Sequence, residues 1–169
     1  MKKNLILVGM MASGKTTLGK IIAKKHNLEF VDSDLIIEKK NSMKIKEIFE
    51  KKGEKFFRME EKREVLKLLK KNSCVIALGG GAFIDKTLRE DILKNGISVW
   101  LDVNIKTLNE RVKWNKNRPL LTKGNNEKKI NDLYSQRRKI YKLANHKITC
   151  DKLDKKSIVK KITELYEKY

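Results

Sequence analysis

Proline occurs once in this chain and cysteine twice, arginine is scarce, and no run of about twenty apolar residues exists. The missing apolar run excludes a membrane-spanning helix. Cys74 and Cys150 each sit in or beside an apolar run; one disulfide is possible on parity alone, but there is no cysteine framework or metal spacing. Both are expected to be reduced and partly buried. The start, Met1-Lys2-Lys3-Asn4, leads into only a short apolar run with glycine close behind, which reads against a secretory leader and points to the cytoplasm. Seven of the 41 basic residues are arginine, which leaves 34 lysines. Each arginine position is therefore informative, because only arginine offers a planar bidentate fork to an anion.

Against 41 basic residues stand 21 acidic ones, a formal charge of +20. Such an excess suggests nucleic acid or an acidic membrane surface. The lysines, however, are spread over every helical segment and form no block interleaved with aromatics that would make a base-stacking surface. They read as the solvated faces of helices, so neither nucleic acid nor membrane is expected as a partner.

Apolar residues make up 40 % of the 169, enough for one compact α/β domain over residues 1–169. Leu5 to Val8 reads as a fully buried parallel strand. A helix is expected over Thr17–Lys25 and a second strand over Leu28–Val31. Asp32-Ser33-Asp34 opens another helix. Lys44 to Lys71 is helical with a break near Gly53. Cys74–Leu78 and Ile97–Leu101 are strands, with helices at Leu88–Leu93 and Ile105–Val112. Trp114 to Asn126 holds lysines, asparagines and Pro119 and reads as a mobile surface loop. A helix over Lys128–Ala144, a strand at Lys147–Cys150 and a helix over Lys155–Tyr169 close the chain. Strands alternating with helices imply a parallel sheet covered on both faces.

Gly9-Met10-Met11-Ala12-Ser13-Gly14-Lys15-Thr16 fits G-x-x-x-x-G-K-[ST] and lies between a buried strand and a helix. Its backbone N–H groups can turn inward around phosphate oxygens, and the following helix adds the positive end of its dipole. Lys15 can reach the β- and γ-phosphates, and the Thr16 hydroxyl can bind Mg²⁺. This motif specifies a nucleoside triphosphate and leaves the acceptor open.

The acceptor has to come from the remaining motifs, each of which also has a plain structural reading. Asp32 and Asp34 stand at the C-terminal end of the second strand, where open α/β sheets bind ligands. One carboxylate can support Mg²⁺ through water and the other can take a hydroxyl proton, or Asp32 and Ser33 simply cap a helix. In Gly53-Glu54-x-x-Phe57-Arg58-x-x-Glu61, Glu61 is placed to orient the Arg58 guanidinium. Gly79-Gly80-Gly81 implies either close approach of the backbone to something or positive φ. Arg118-Pro119-Leu120-Leu121 puts an arginine on a loop that can swing onto a transferring phosphate. Arg137-x-x-x-Tyr141 sets an arginine and a tyrosine on one helix face, with Arg138 pointing elsewhere.

The order of these motifs along Leu5 to about Asp154 resembles the shikimate kinases. The resemblance implies a P-loop kinase fold of three α/β/α layers, like that of nucleoside-monophosphate kinases, with a five-stranded parallel sheet in the order 2-3-1-4-5. It implies transfer of the γ-phosphate of ATP to the 3-hydroxyl of shikimate, with Mg²⁺, in a monomer. A substrate-binding region at about 33–61 and a lid at about 112–126 follow from it. Position by position, Lys15, Asp34 and Arg118 are the implied catalytic residues. Gly9, Ala12, Ser13, Gly14, Lys15, Thr16, Thr17, Arg111 and Arg118 would hold ATP, with Arg111 packed on adenine and Cys150 to Asp154 bordering the base. Asp34, Arg58, Gly79, Gly80, Gly81 and Arg137 would hold shikimate, and Thr16 and Asp32 would serve Mg²⁺. Ala12 stands where many members have glycine, and Lys139 where a proline is common. The rival readings are another small-molecule kinase such as a gluconate kinase, and a P-loop nucleic-acid-binding ATPase.

Overall fold

A computed structural model describes residues 3–113 and 126–169. Five strands form one parallel sheet: β1 (Asn4–Val8), β2 (Glu29–Asp32), β3 (Cys74–Ala77), β4 (Gly96–Asp102) and β5 (His146–Thr149), in the spatial order β2-β3-β1-β4-β5. The helices are α1 (Lys15–His26), α2 (Ser33–Asn41), α3 (Ile45–Leu69), α4 (Lys86–Asn95), α5 (Ile105–Lys113), α6 (Asn126–Tyr141) and α7 (Lys155–Tyr166). They cover both faces of the sheet. The strand order is the one the resemblance implied.

β1 lies at the centre of the sheet, paired with β3 on one side and β4 on the other. All five of its residues are buried, so both faces need cover. Leu5 stands opposite Val75 on one side and Ile97 on the other. The Asn4 amide ties three pieces together: Nδ2 donates to Leu68 O and Lys71 O at 3.3 and 2.8 Å, and Oδ1 accepts from Cys74 N–H at 3.0 Å. A buried polar group so fully bonded fixes register without an unpaired donor.

Helix and strand ends differ from the sequence expectation by a residue or a few, as caps and side-chain contacts decide them. β3 stops at Ala77, although Leu78 N–H still donates to Leu7 O at 3.1 Å. α6 ends at Tyr141 and α7 at Tyr166, both earlier than expected. The break in α3 falls at Gly53, with φ 81° and ψ 166°, a conformation open essentially to glycine alone.

Apart from the main core, α2 and α3 share a small one of their own. Ile37, Ile48 and Phe57 are buried together, with Met43, Ile45, Phe49 and Phe56 packed around them. Lys40 of α2 adds an ionic tie, with Nζ 2.5 Å from Glu60 and 2.8 Å from Glu64 of α3. These contacts hold the two helices that carry Asp34, Arg58 and Glu61. Among the described residues, no helix is long and apolar enough to cross a membrane.

Candidate active site

The loop between β1 and α1 has the backbone its motif requires. Gly9 and Gly14 take φ of 143° and 98°. Ala12 takes φ 61°, so this chain holds a left-handed turn with a residue that has a Cβ, where the family resemblance led one to expect glycine. The Lys15 ammonium reaches across the loop to Gly9 O and Met10 O at 2.9 and 2.8 Å. Ser13 is buried, and its Oγ has no hydrogen-bond partner among the described residues. Thr17 is exposed in the first turn of α1. Arg111 lies on the surface, and its Nη1 donates to Ala12 O at 3.1 Å.

Asp32 caps a helix with one oxygen and meets a hydroxyl of the phosphate loop with the other. One oxygen, Oδ1, accepts from Asp34 N–H at 3.1 Å and Leu35 N–H at 3.4 Å and so caps α2. The other, Oδ2, accepts from Thr16 Oγ1 at 2.7 Å. A hydroxyl and a carboxylate oxygen side by side at the mouth of a phosphate loop are hard donors of the kind Mg²⁺ takes.

The three glycines gather the acceptor motifs. None of the three takes positive φ, so close approach is their reason. A Cβ on Gly79 would run into Asp34 Oδ1 and lie 2.7 Å from Glu61 Oε1. A Cβ on Gly80 would sit 3.3 Å from Arg137 Nη1, and one on Gly81 would strike the Arg58 guanidinium, with Cζ at 2.7 Å. The turn thus brings together two guanidinium groups and two carboxylates from α2, α3 and α6. Glu61 Oε2 accepts from Arg58 Nη1 at 2.6 Å, while its Oε1 is buried without a partner among the described residues. Burial pushes the Glu61 carboxyl above its usual range; Arg58 is the largest influence opposing this, and Asp34 adds to the push.

Arg138 faces away, 3.7 Å from Asp102, whose carboxylate also receives Lys147 at 2.9 Å. Cys74 and Cys150 are free and buried, as expected of them. Burial raises the Cys150 thiol to about 11. Arg118 and most of the segment read as a lid lie outside the described residues. Sequence reasoning did not find three contributors. Ser33, fully buried, accepts from Gly79 N–H through Oγ at 2.9 Å; its place inside Asp-Ser-Asp was the available signal. Trp100 packs against Tyr141, whose hydroxyl reaches the glycine turn. Lys40 meets Glu60 and Glu64 across about two dozen residues of chain, a spacing that carries no local signal.

Comparison with known proteins points the same way. The family model described as shikimate kinase matches residues 11–167. The chain is 43 % identical over 160 residues to the shikimate kinase of Sulfurihydrogenibium sp., covering 95 % of each. It is 41 % identical to that of Persephonella marina, covering 95 % of this chain and 96 % of that one. Among solved structures, the shikimate kinase from Acinetobacter baumannii in complex with shikimate superposes with a TM-score of 0.94 at 36 % identity, covering 99 % of this chain and 94 % of that one.

Proposed function

The chain belongs to the shikimate kinase family, and on that footing we propose how it works. It transfers the γ-phosphate of ATP to the 3-hydroxyl of shikimate, giving shikimate 3-phosphate and ADP. ATP seats its phosphates on the backbone N–H groups of Gly9 to Thr17, with the N-terminus of α1 behind them. Lys15 leaves the loop carbonyls for the β- and γ-phosphates and neutralises charge as it develops. Arg111 lies against the adenine. Thr16 and Asp32 are the residues that would hold Mg²⁺, which would neutralise phosphate oxygens.

Shikimate enters over the glycine turn. Arg58 and Arg137 clamp its carboxylate, and the Gly79-Gly80-Gly81 backbone bounds the ring. Asp34 holds the ring hydroxyls and directs the 3-hydroxyl at the γ-phosphorus. With both ligands fixed, phosphoryl transfer needs in-line placement and charge neutralisation more than covalent help. The segment 112–126 closes over ATP, and its Arg118 meets the transferring phosphate while water is shut out. The enzyme works as a cytoplasmic monomer.

The observation that carries this reading is the meeting of Arg58, Arg137, Asp34 and Glu61 at one glycine turn. Two guanidinium groups there suit a small carboxylic acid, whereas a nucleotide acceptor needs a base-sized pocket. ATP consumption measured separately with shikimate, gluconate and AMP tests it. Turnover is expected with shikimate alone; turnover with gluconate or AMP and none with shikimate would overturn the assignment.

A further inference from the structure

Tyr141 and Arg137 stand one turn apart on α6 and reach the same atom. Arg137 Nη1 donates to Gly80 O at 3.2 Å, and the Tyr141 hydroxyl donates to that oxygen too. Tyr141 is only 1 % exposed, and its ring lies 6.2 Å from that of Trp100 at an interplanar angle of 34°. Packed so closely, the phenol has no room to swing away.

The remaining polar groups of the turn divide unevenly. Gly79 N–H donates to Ser33 Oγ at 2.9 Å. Gly79 O accepts from Ala82 N–H at 3.1 Å, and Gly81 O accepts from Ile84 N–H at 3.0 Å. All three carbonyls and one N–H are therefore engaged. Among the described residues no acceptor takes the N–H of Gly80 or Gly81. The peptides here are trans, and a trans peptide aims its C=O and N–H in opposite directions. Holding Gly80 O toward α6 therefore turns the Gly81 N–H away from α6.

We propose that Tyr141 is a positioning residue for the acceptor: its hydroxyl fixes the Gly80–Gly81 peptide so that the Gly81 N–H faces the acceptor site. It has a second consequence. When Arg137 turns its donors to the substrate carboxylate, Tyr141 keeps the Gly80 oxygen bonded, so the arginine is released without stranding a carbonyl. The inference rests on the reading that this turn binds the acceptor acid.

Tyr141→Phe removes the hydroxyl and keeps the ring. The KM for shikimate is expected to rise about five- to tenfold, within the range a lost hydrogen bond spans, while the KM for ATP stays within about twofold. A shikimate KM that does not move would overturn the proposal, as would equal losses for both substrates, which would mark general loosening. Should the variant not fold, the wild type still decides. In protein labelled with ¹⁵N-glycine, shikimate alone should shift the Gly81 amide resonance strongly; an unmoved resonance would overturn the proposal. The wild-type rate in the same assay separates the two failures: no turnover with shikimate sinks the functional reading, whereas turnover with an unaltered Tyr141→Phe KM sinks only this one.

Discussion

Glu61 sits where function and stability pull apart. It is 2 % exposed and pairs with Arg58, yet burial still holds its carboxyl above the ordinary range. A carboxyl raised on folding binds its proton more tightly in the folded chain than in the unfolded one. Its contribution to stability is whole below the unfolded value and is lost as pH rises through the folded one. Glu61→Gln cannot ionise, so stability should decline less between acid and neutral pH, and the melting temperature at neutrality should equal or exceed that of the wild type. The same variant should raise the KM for shikimate, since Arg58 loses its orienting partner. Thermal melts across pH and steady-state kinetics check both halves; a lower melting temperature at neutral pH contradicts the first. Arg58→Ala acts on the other partner. Charged hydrogen bonds contribute about 1.5–3 kcal/mol, so kcat/KM for shikimate should fall about 10- to 150-fold with ATP affinity nearly intact. Lys15→Ala should instead remove most of the chemical rate. An equal loss of ATP affinity in Arg58→Ala contradicts the role given to it.

At the scale of elements, Gly53 decides where Arg58 lies. It breaks α3 so that the part from Glu54 onward can aim Arg58 and Glu61 at the glycine turn, while the part before it packs Ile48 against Ile37. Nothing lies within 4 Å of where its Cβ would be. Gly53→Ala therefore meets no clash, only a backbone conformation alanine resists, at a cost of about 1–3 kcal/mol. At about 2–4 °C per kcal/mol, the melting temperature should drop by several degrees. If the helix straightens to escape the strain, Arg58 swings off the turn and the KM for shikimate rises while that for ATP does not. Calorimetry with kinetics on the two substrates reads this; an unchanged melting temperature would show that the break is not held by Gly53. The helix break was legible in the sequence from a lone glycine within a helix-period run. The Lys40 tie to Glu60 and Glu64 was not, because it joins two helices whose packing depends on the small core between them.

For the whole molecule, a charge of +20 surrounds a reaction between two anions. A positive field raises the encounter rate with anionic ligands, and salt shortens its reach from about 10 Å at 0.1 M to about 3 Å at 1 M. The kcat/KM for shikimate should fall several-fold over that range while kcat stays level. DNA or RNA should bind weakly and compete at low salt without stimulating ATP hydrolysis. Stimulation by nucleic acid in the absence of shikimate contradicts the kinase reading, and a flat salt profile denies the lysines any part in steering.

The sequence by itself determined the sheet and the phosphate loop, and it singled out the residues proposed to bind the acid. Buried strands read as continuous apolar runs, and the phosphate loop lies within a single stretch of chain whose spacing is local. Scarce arginine made Arg58 and Arg137 stand out. Only the tertiary structure decided what each of them touches. It chose close approach over positive φ for the three glycines, gave Asp32 both a capping and a hydroxyl-binding oxygen, and brought Tyr141 and Ser33 onto the same turn. Those contacts join residues tens of positions apart, and no local propensity encodes a distance that depends on how separate helices pack against one sheet.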